Sequence, residues 1–183
     1  MTKFSFEVPY NHLEEFHPHQ DFIFTLSLAY EDRRMQRYLH AVKQEGLRTI
    51  WLDNSFNEKQ EADDPQIMKD LAYAWRPQKI ICPDDPKWAP SQLYDLYCDM
   101  GSSIPVRELL CVANNWDCYE YLRNFGVRSF AVSYWTRSKN WTHEQLAKIQ
   151  DLHFLGLLDM MELRAVRPAS CDTSMPVKIA LKN

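Results

Sequence analysis

Glycine is scarce in this chain. Only Gly46, Gly101, Gly126 and Gly156 occur among 183 residues. A Walker loop and a GxGxxG fingerprint both need clustered glycines so that the backbone can approach a phosphate, so both are excluded. ATP and NAD go with them, and no cofactor is expected. Long apolar runs are missing too: none reaches the roughly 18 residues of a membrane span. The first twenty residues, MTKFSFEVPYNHLEEFHPHQ, mix charge with proline and do not read as a signal peptide. The expected location is the cytoplasm, or the host cytoplasm for a viral protein. The five cysteines are odd in number and include no CxxC pair, which argues against a disulfide framework and a structural zinc site. No metal is expected. An excess of basic residues is also absent. Lys and Arg total 21 against 25 Asp and Glu, a net charge of −4, which does not suit a bulk nucleic-acid binder. Local basic clusters at Arg33, Arg34 and Arg37, and at Arg137 and Lys139, still leave room for a basic groove.

What is present is an ordinary globular composition, 45% hydrophobic and 25% charged. Short apolar runs alternate with amphipathic stretches. Strands are predicted at 22–29, 48–52, 79–82, 106–112, 127–132, 153–157 and 169–172. Between them fall helical patterns. The first spans Glu31 to Glu45, with Met35, Tyr38, Leu39 and Val42 on one face and Gly46 as its stop. Another is capped by Asp63 or Asp64, with Pro65 at its first position. Others open at Ser91 and Asp117, and Thr142 with Gln145 forms a capping box. Helices between successive strands imply parallel βαβ units. An open doubly wound sheet and a compact (β/α) barrel of TIM type both fit. About seven strands are evident, so a barrel has an incomplete or irregular eighth strand, missing or supplied by the N-terminal segment or a partner chain. Residues 1–20 read as an arm and 21–183 as one catalytic domain.

Polar residues collect just after the strands: Asp53-Asn-Ser-Phe-Asn-Glu58, Pro83-Asp84-Asp85, Asn114-Asn115, Ser133-Tyr134-Trp135 and Asp172-Thr-Ser174. In parallel α/β folds this end carries the active site, because the loops converge there. Several carboxylates on one such face are costly unless they bind a cation, share protons or perform acid–base work. Each residue also has a plain reading. Asp53 and Asp84 suit turns or caps, and Phe56 and Trp135 suit a core or rim.

The series Trp51-Leu-Asp-Asn-Ser-Phe-Asn-Glu58, Ile81-Cys-Pro-Asp84, Glu108 to Val112, and His153-Phe-Leu-Gly156 with Ser170-Cys-Asp-Thr-Ser174 resembles phage-type DNA 7-deazaguanine transglycosylases of the tRNA-guanine transglycosylase superfamily. The resemblance runs from about Phe22 to Lys182. It implies a barrel that exchanges guanine in DNA for a 7-deazaguanine base through a covalent aspartyl intermediate. On that resemblance Asp172 is the nucleophile and Asp53 the general base. Phe56, Asp84, Asn114 and Ser133 hold the base. DNA, with tRNA as the lesser alternative, would lie against Arg33, Arg34, Trp135, Arg137 and Lys139. Asn54-Ser55 stands where the family has a glycine-rich turn, and the family's zinc site is absent. A nucleosidase or glycosidase on the same barrel and a non-catalytic barrel subunit stay open.

Overall fold

The computed structural model describes residues 1–6, 8, 12–104, 108–157 and 159–173. Val106, where the fourth predicted strand opens, and Ser174 to Lys182, at the end of the resemblance, lie outside them. Eight parallel strands form one sheet: β1 (Lys3–Phe6), β2 (Phe22–Leu26), β3 (Thr49–Asp53), β4 (Lys79–Ile81), β5 (Glu108–Val112), β6 (Phe130–Ser133), β7 (Leu152–Leu155) and β8 (Ser170–Thr173). Their order is β1-β8-β7-β6-β5-β4-β3-β2. Of the two architectures the sequence allows, the chain adopts the TIM-type barrel, and the strand not assigned from sequence is the N-terminal one. β1 pairs with β8 in register Ser5↔Asp172.

β1 and β2 meet at a seam closed largely by side chains. The Asp21 N–H donates to the Phe4 carbonyl (2.8 Å), and the Phe4 N–H donates back to the Asp21 carboxylate (2.8 Å). Gln20 Oε1 accepts from the Phe6 N–H and from the buried Ser5 hydroxyl, and Ser5 Oγ accepts from the Phe24 N–H. Backbone groups of a sheet edge that would otherwise be buried unpaired are thereby satisfied.

Strand alternation sorts the core into two layers. Outward residues such as Ile23, Leu52, Ile80, Leu109, Cys111, Phe130, Val132 and Cys171 pack under the helices. Phe24, Ile81, Leu110, Val112, Ala131 and Leu155 fill the barrel interior. Toward the N-terminal end the filling is aromatic and ionic. Phe22 stacks on Trp51 with centroids 4.0 Å apart, and Lys79 Nζ lies 4.6 Å over the Trp51 ring and 2.8 Å from Glu108.

The helices are α1 (Leu13–Phe16), α2 (Arg33–Glu45), α3 (Phe56–Lys59), α4 (Pro65–Trp75), α5 (Pro90–Ser103), α6 (Trp116–Asn124), α7 (Tyr134–Asn140), α8 (His143–Ala147) and α9 (Met160–Val166). Asp64 caps α4 by accepting from the Gln66 N–H, Thr142 and Gln145 form the expected capping box, and Gly46 closes α2 at φ +70°. Several boundaries differ from the sequence reading. β2 stops at Leu26, because Ser27–Glu31 turns into a 3₁₀ helix. α5 runs past Gly101 to Ser103. α7 begins directly after β6, where Tyr134 and Trp135 read as the strand's polar end. Among the described residues no helix is long and apolar enough to cross a membrane.

Candidate active site

The alternation that fills the barrel also builds its mouth. Asp53 is two residues beyond Trp51, Ser133 two beyond Ala131, Leu155 two beyond His153, and Asn114 two beyond Val112. All keep the inward parity of their strands. With Asn54, Phe56, Gln60, Asp84, Pro86, Trp135 and Thr136 they line a cavity of about 220 Å³ at the C-terminal ends of the strands. The structure therefore brings together Asp53, Phe56, Asp84, Asn114, Ser133 and Trp135 from the sequence candidates.

Asn54 is the bracket of this site. Its Nδ2 donates to Asp84 Oδ1 and to the Cys82 carbonyl, both at 2.8 Å, while its Oδ1 accepts from the Phe56 N–H at 3.0 Å. One buried amide thus fixes the end of β3, the turn after β4 and the start of α3. The turn continues through Ser55, which is fully buried at φ +54°. A left-handed serine is strained, and hydrogen bonds hold it there. Ser55 Oγ accepts from the Leu28 N–H (3.2 Å) and shares a hydrogen bond with Ser27 Oγ (2.8 Å). Ser27 also donates to Asp63 (2.5 Å), which pairs with Lys59 at the end of α3.

Asp84 is strongly altered by its surroundings. Burial pushes its pKa up to about 7; the Asn54 hydrogen bond pulls down against this, and the neighbouring Asp85 pushes up. Asn114 is 6% exposed, and neither its Nδ2 nor its Oδ1 has a hydrogen-bond partner. Its backbone carbonyl accepts from Asn140 at the end of α7 (3.0 Å). A buried amide with both ends unpaired is uncommon and needs an explanation. Among the described residues no group of three or more His, Cys, Asp or Glu side chains is placed to hold a metal ion.

Asp172 is placed differently. It does not line the cavity, and its residue exposure is 2%. Both carboxylate oxygens accept from the Gly156 N–H at 3.1 Å, and Oδ1 lies 3.2 Å from His153 Nε2. His153 is fully buried, with Ser170 Oγ 3.0 Å from its Nδ1. Burial, with Lys79 and Arg137 nearby, drives its pKa down to about 3, so the ring is neutral near pH 7. Asp172 keeps the inward parity of β8, opposite Ser5, and its carboxylate ties that strand to the left-handed turn after β7.

The basic candidates are also dispersed. Arg137 is buried, not solvated. Its Nε donates to Glu162 (2.7 Å), its guanidinium donates to the carbonyls of Val132 (2.8 Å) and Gly156 (2.7 Å), and it lies 4.0 Å over the Phe154 ring. It pins α7 to β6 and to the β7 turn, and so positions Ser133, Trp135 and Thr136. Arg33 and Arg34 project from α2, where Arg34 pairs with Asp32 and lines a separate groove with Arg37, His17 and Glu45. Lys139 is exposed near the end of α7. None of these four lines the cavity.

No protein-family model and no curated sequence matches the chain. Solved structures do. A 3-hexulose-6-phosphate synthase from Salmonella typhimurium aligns at 8% identity over 94% of this chain and 88% of its own, with a TM-score of 0.60. An N-acetylneuraminate lyase from Mycoplasma synoviae aligns at 10% identity over 96% and 67%, with a TM-score of 0.58. A KDPGal structure aligns at 9% identity over 92% and 79%, with a TM-score of 0.55. At such identities the likeness is one of fold. It nevertheless corrects the family expectation: the similar barrels are of synthase and lyase type, not tRNA-guanine transglycosylases. The base-exchange reading is set aside with that resemblance.

The sequence reading passed over Asn54, Gln60, Pro86, Thr136 and Leu155. For Leu155 a signal existed in the two-residue parity from His153. Gln60 and Thr136 arrive on helical turns, to which strand parity does not extend.

Proposed function

We propose that this barrel is an enzyme of lyase or isomerase type, which makes or breaks a bond next to a carbonyl by moving a proton through Asp84. The observation behind the reading is the buried Asp84 carboxyl at the strand C-termini, whose pKa of about 7 suits both accepting and returning a proton near neutral pH. Asp53 is the second carboxyl of the pocket. Asn114 presents an unpaired Nδ2 donor in the same cavity, and a positioned amide is a suitable stabiliser for the oxyanion that forms when a proton leaves the carbon beside a carbonyl. The names of the similar structures, a synthase and a lyase, belong to the same broad chemistry. Among the described lining residues there is no lysine, so a Schiff-base route is not the reading preferred here.

The test is proton exchange. Small aldehydes and ketones are incubated with the protein in deuterated water and their C–H signals followed by NMR, alongside a carbon-detected titration of Asp84. Exchange into at least one carbonyl compound is expected, lost in Asp84→Asn, with Asp84 titrating near 7. An Asp84 that stays ionised down to about pH 5 would sink the proposal, as would exchange indifferent to its replacement.

A further inference from the structure

We infer that the mouth cavity takes a small ligand that carries a protonated nitrogen and no phosphate group. The inference deepens the acid–base reading of the same pocket and rests on it for the site's identity. It starts from charge. The described lining residues are Asp53, Asp84, three amides, two hydroxyl residues and apolar or aromatic groups; none is Lys, Arg or His. Arg137, the nearest candidate by sequence, is turned into the wall and committed to Glu162 and two carbonyls.

An anionic group entering this cavity would lose water beside the Asp84 and Asp53 carboxyls, and none of the described lining residues is a cation that could replace that hydration, which is unfavourable. A protonated nitrogen meets the opposite situation. It donates to a carboxylate in a charge-assisted hydrogen bond, the stronger kind. The second, independent observation is Asn114. Its side chain lines the cavity, is more than nine-tenths buried, and has both polar atoms unpaired. A buried donor and acceptor left unpaired are costly, so the arrangement favours a ligand that supplies partners. The Asn114 oxygen accepts a second N–H from an ammonium, and its nitrogen remains to donate to an uncharged oxygen of the same molecule. Phe56 and Trp135 contribute aromatic surface of the kind that attracts cations.

Shape-matched probes separate charge from fit. Binding of benzylammonium, benzyl alcohol, benzoate and inorganic phosphate to the unmodified protein is measured by calorimetry at about pH 8, where Asp84 is ionised. Benzylammonium is expected to bind about tenfold more tightly than benzyl alcohol, the worth of one charge-assisted contact. Benzoate and phosphate are expected to bind more weakly than either. Asp84→Asn, a neutral substitution of nearly the same shape, should bring benzylammonium to the level of benzyl alcohol. Asn114→Ala should weaken both. The inference is overturned if benzoate or phosphate binds as well as benzylammonium, if the preference survives Asp84→Asn, or if no probe binds at millimolar concentration. None of these readings uses turnover. Anion preference with an Asp84 titrating near 7 overturns the ligand class alone. Ammonium preference with an Asp84 ionised throughout overturns the acid–base reading alone.

Discussion

Asp84→Asn removes a titration and leaves the packing nearly unchanged, because the substituted side chain still offers the Asn54 amide an oxygen acceptor. The folded chain holds the Asp84 proton up to about pH 7, against 3.8 for the free side chain. The folded state therefore binds more protons than the unfolded state between roughly pH 4 and pH 7. Its stability falls as pH rises through that window, and the full cost is present above it. At 1.36 kcal/mol for each pK step, the cost is about 4 kcal/mol at most, a large share of a stability of roughly 5–15 kcal/mol. Asp84→Asn escapes this cost. It should match the wild type near pH 4 and exceed it by up to about 4 kcal/mol near pH 8. The comparison must be a difference between the two proteins, because His153 has the opposite slope. Its folded pKa lies down at about 3, so stability is lost as pH falls below about 6.5. Urea unfolding of both proteins at three pH values from about 4.5 to 8 measures the difference directly. An unchanged difference across that range, or a variant that loses relative stability as pH rises, would refute the burial argument.

Other replacements test the wall of the barrel. Arg137→Met should leave the half-buried Glu162 without its cation and the Val132 and Gly156 carbonyls without their donor, and destabilise by about 2–3 kcal/mol, lowering Tm by roughly 5–10 °C for a chain of this size; a loss below about 1 kcal/mol would mean that the guanidinium is not committed as described. Asp172→Ala removes the acceptor of the Gly156 N–H and the neighbour of His153, and should cost about 2–3 kcal/mol in chemical denaturation. Gly156→Ala has ordinary space, with Tyr134 Cβ 3.5 Å away, but sits at φ +72°. It should lose about 1–2 kcal/mol from backbone strain alone, and an unchanged unfolding midpoint would contradict that.

Much of the barrel was legible because two periodicities carry it. Strands such as Glu108–Val112 alternate interior and helix-facing residues, and α2 keeps its apolar stripe until Gly46. Their places just after predicted strands marked Asp53, Asn114 and Ser133 as mouth candidates. What escaped follows from physics that one sequence does not display. β1 is four residues, Lys3 to Phe6, too short for a pattern, and its role depends on Ser5 and Gln20 meeting across a seam. α7 was hidden because Tyr134 and Trp135 read as the polar end of β6 and no side-chain cap marks a helix start there. Arg137 was misplaced because arginine is usually solvated, and only the convergence of Glu162, Val132 and Gly156 makes burial tolerable.

Asp84 and Asp172 show why matching residue type and strand end do not settle a role. Both are buried carboxyls near strand C-termini, and both have hydrogen-bond donors. Asp84 accepts from an amide side chain and faces an open cavity, where burial raises its proton affinity and a ligand can reach it. Asp172 accepts from the backbone of the turn that Gly156 makes, and that turn closes over it beside a neutral histidine. A carboxylate so engaged serves the barrel's geometry, and moving it toward a substrate would break the turn that Arg137 also grips through the Gly156 carbonyl. The two carboxyls differ in their hydrogen-bond partners and in which of them lines the cavity. On the proposed reading, proton chemistry belongs to the carboxyl that lines the cavity, and the other helps hold the wall that keeps Ser133, Trp135 and Thr136 around it.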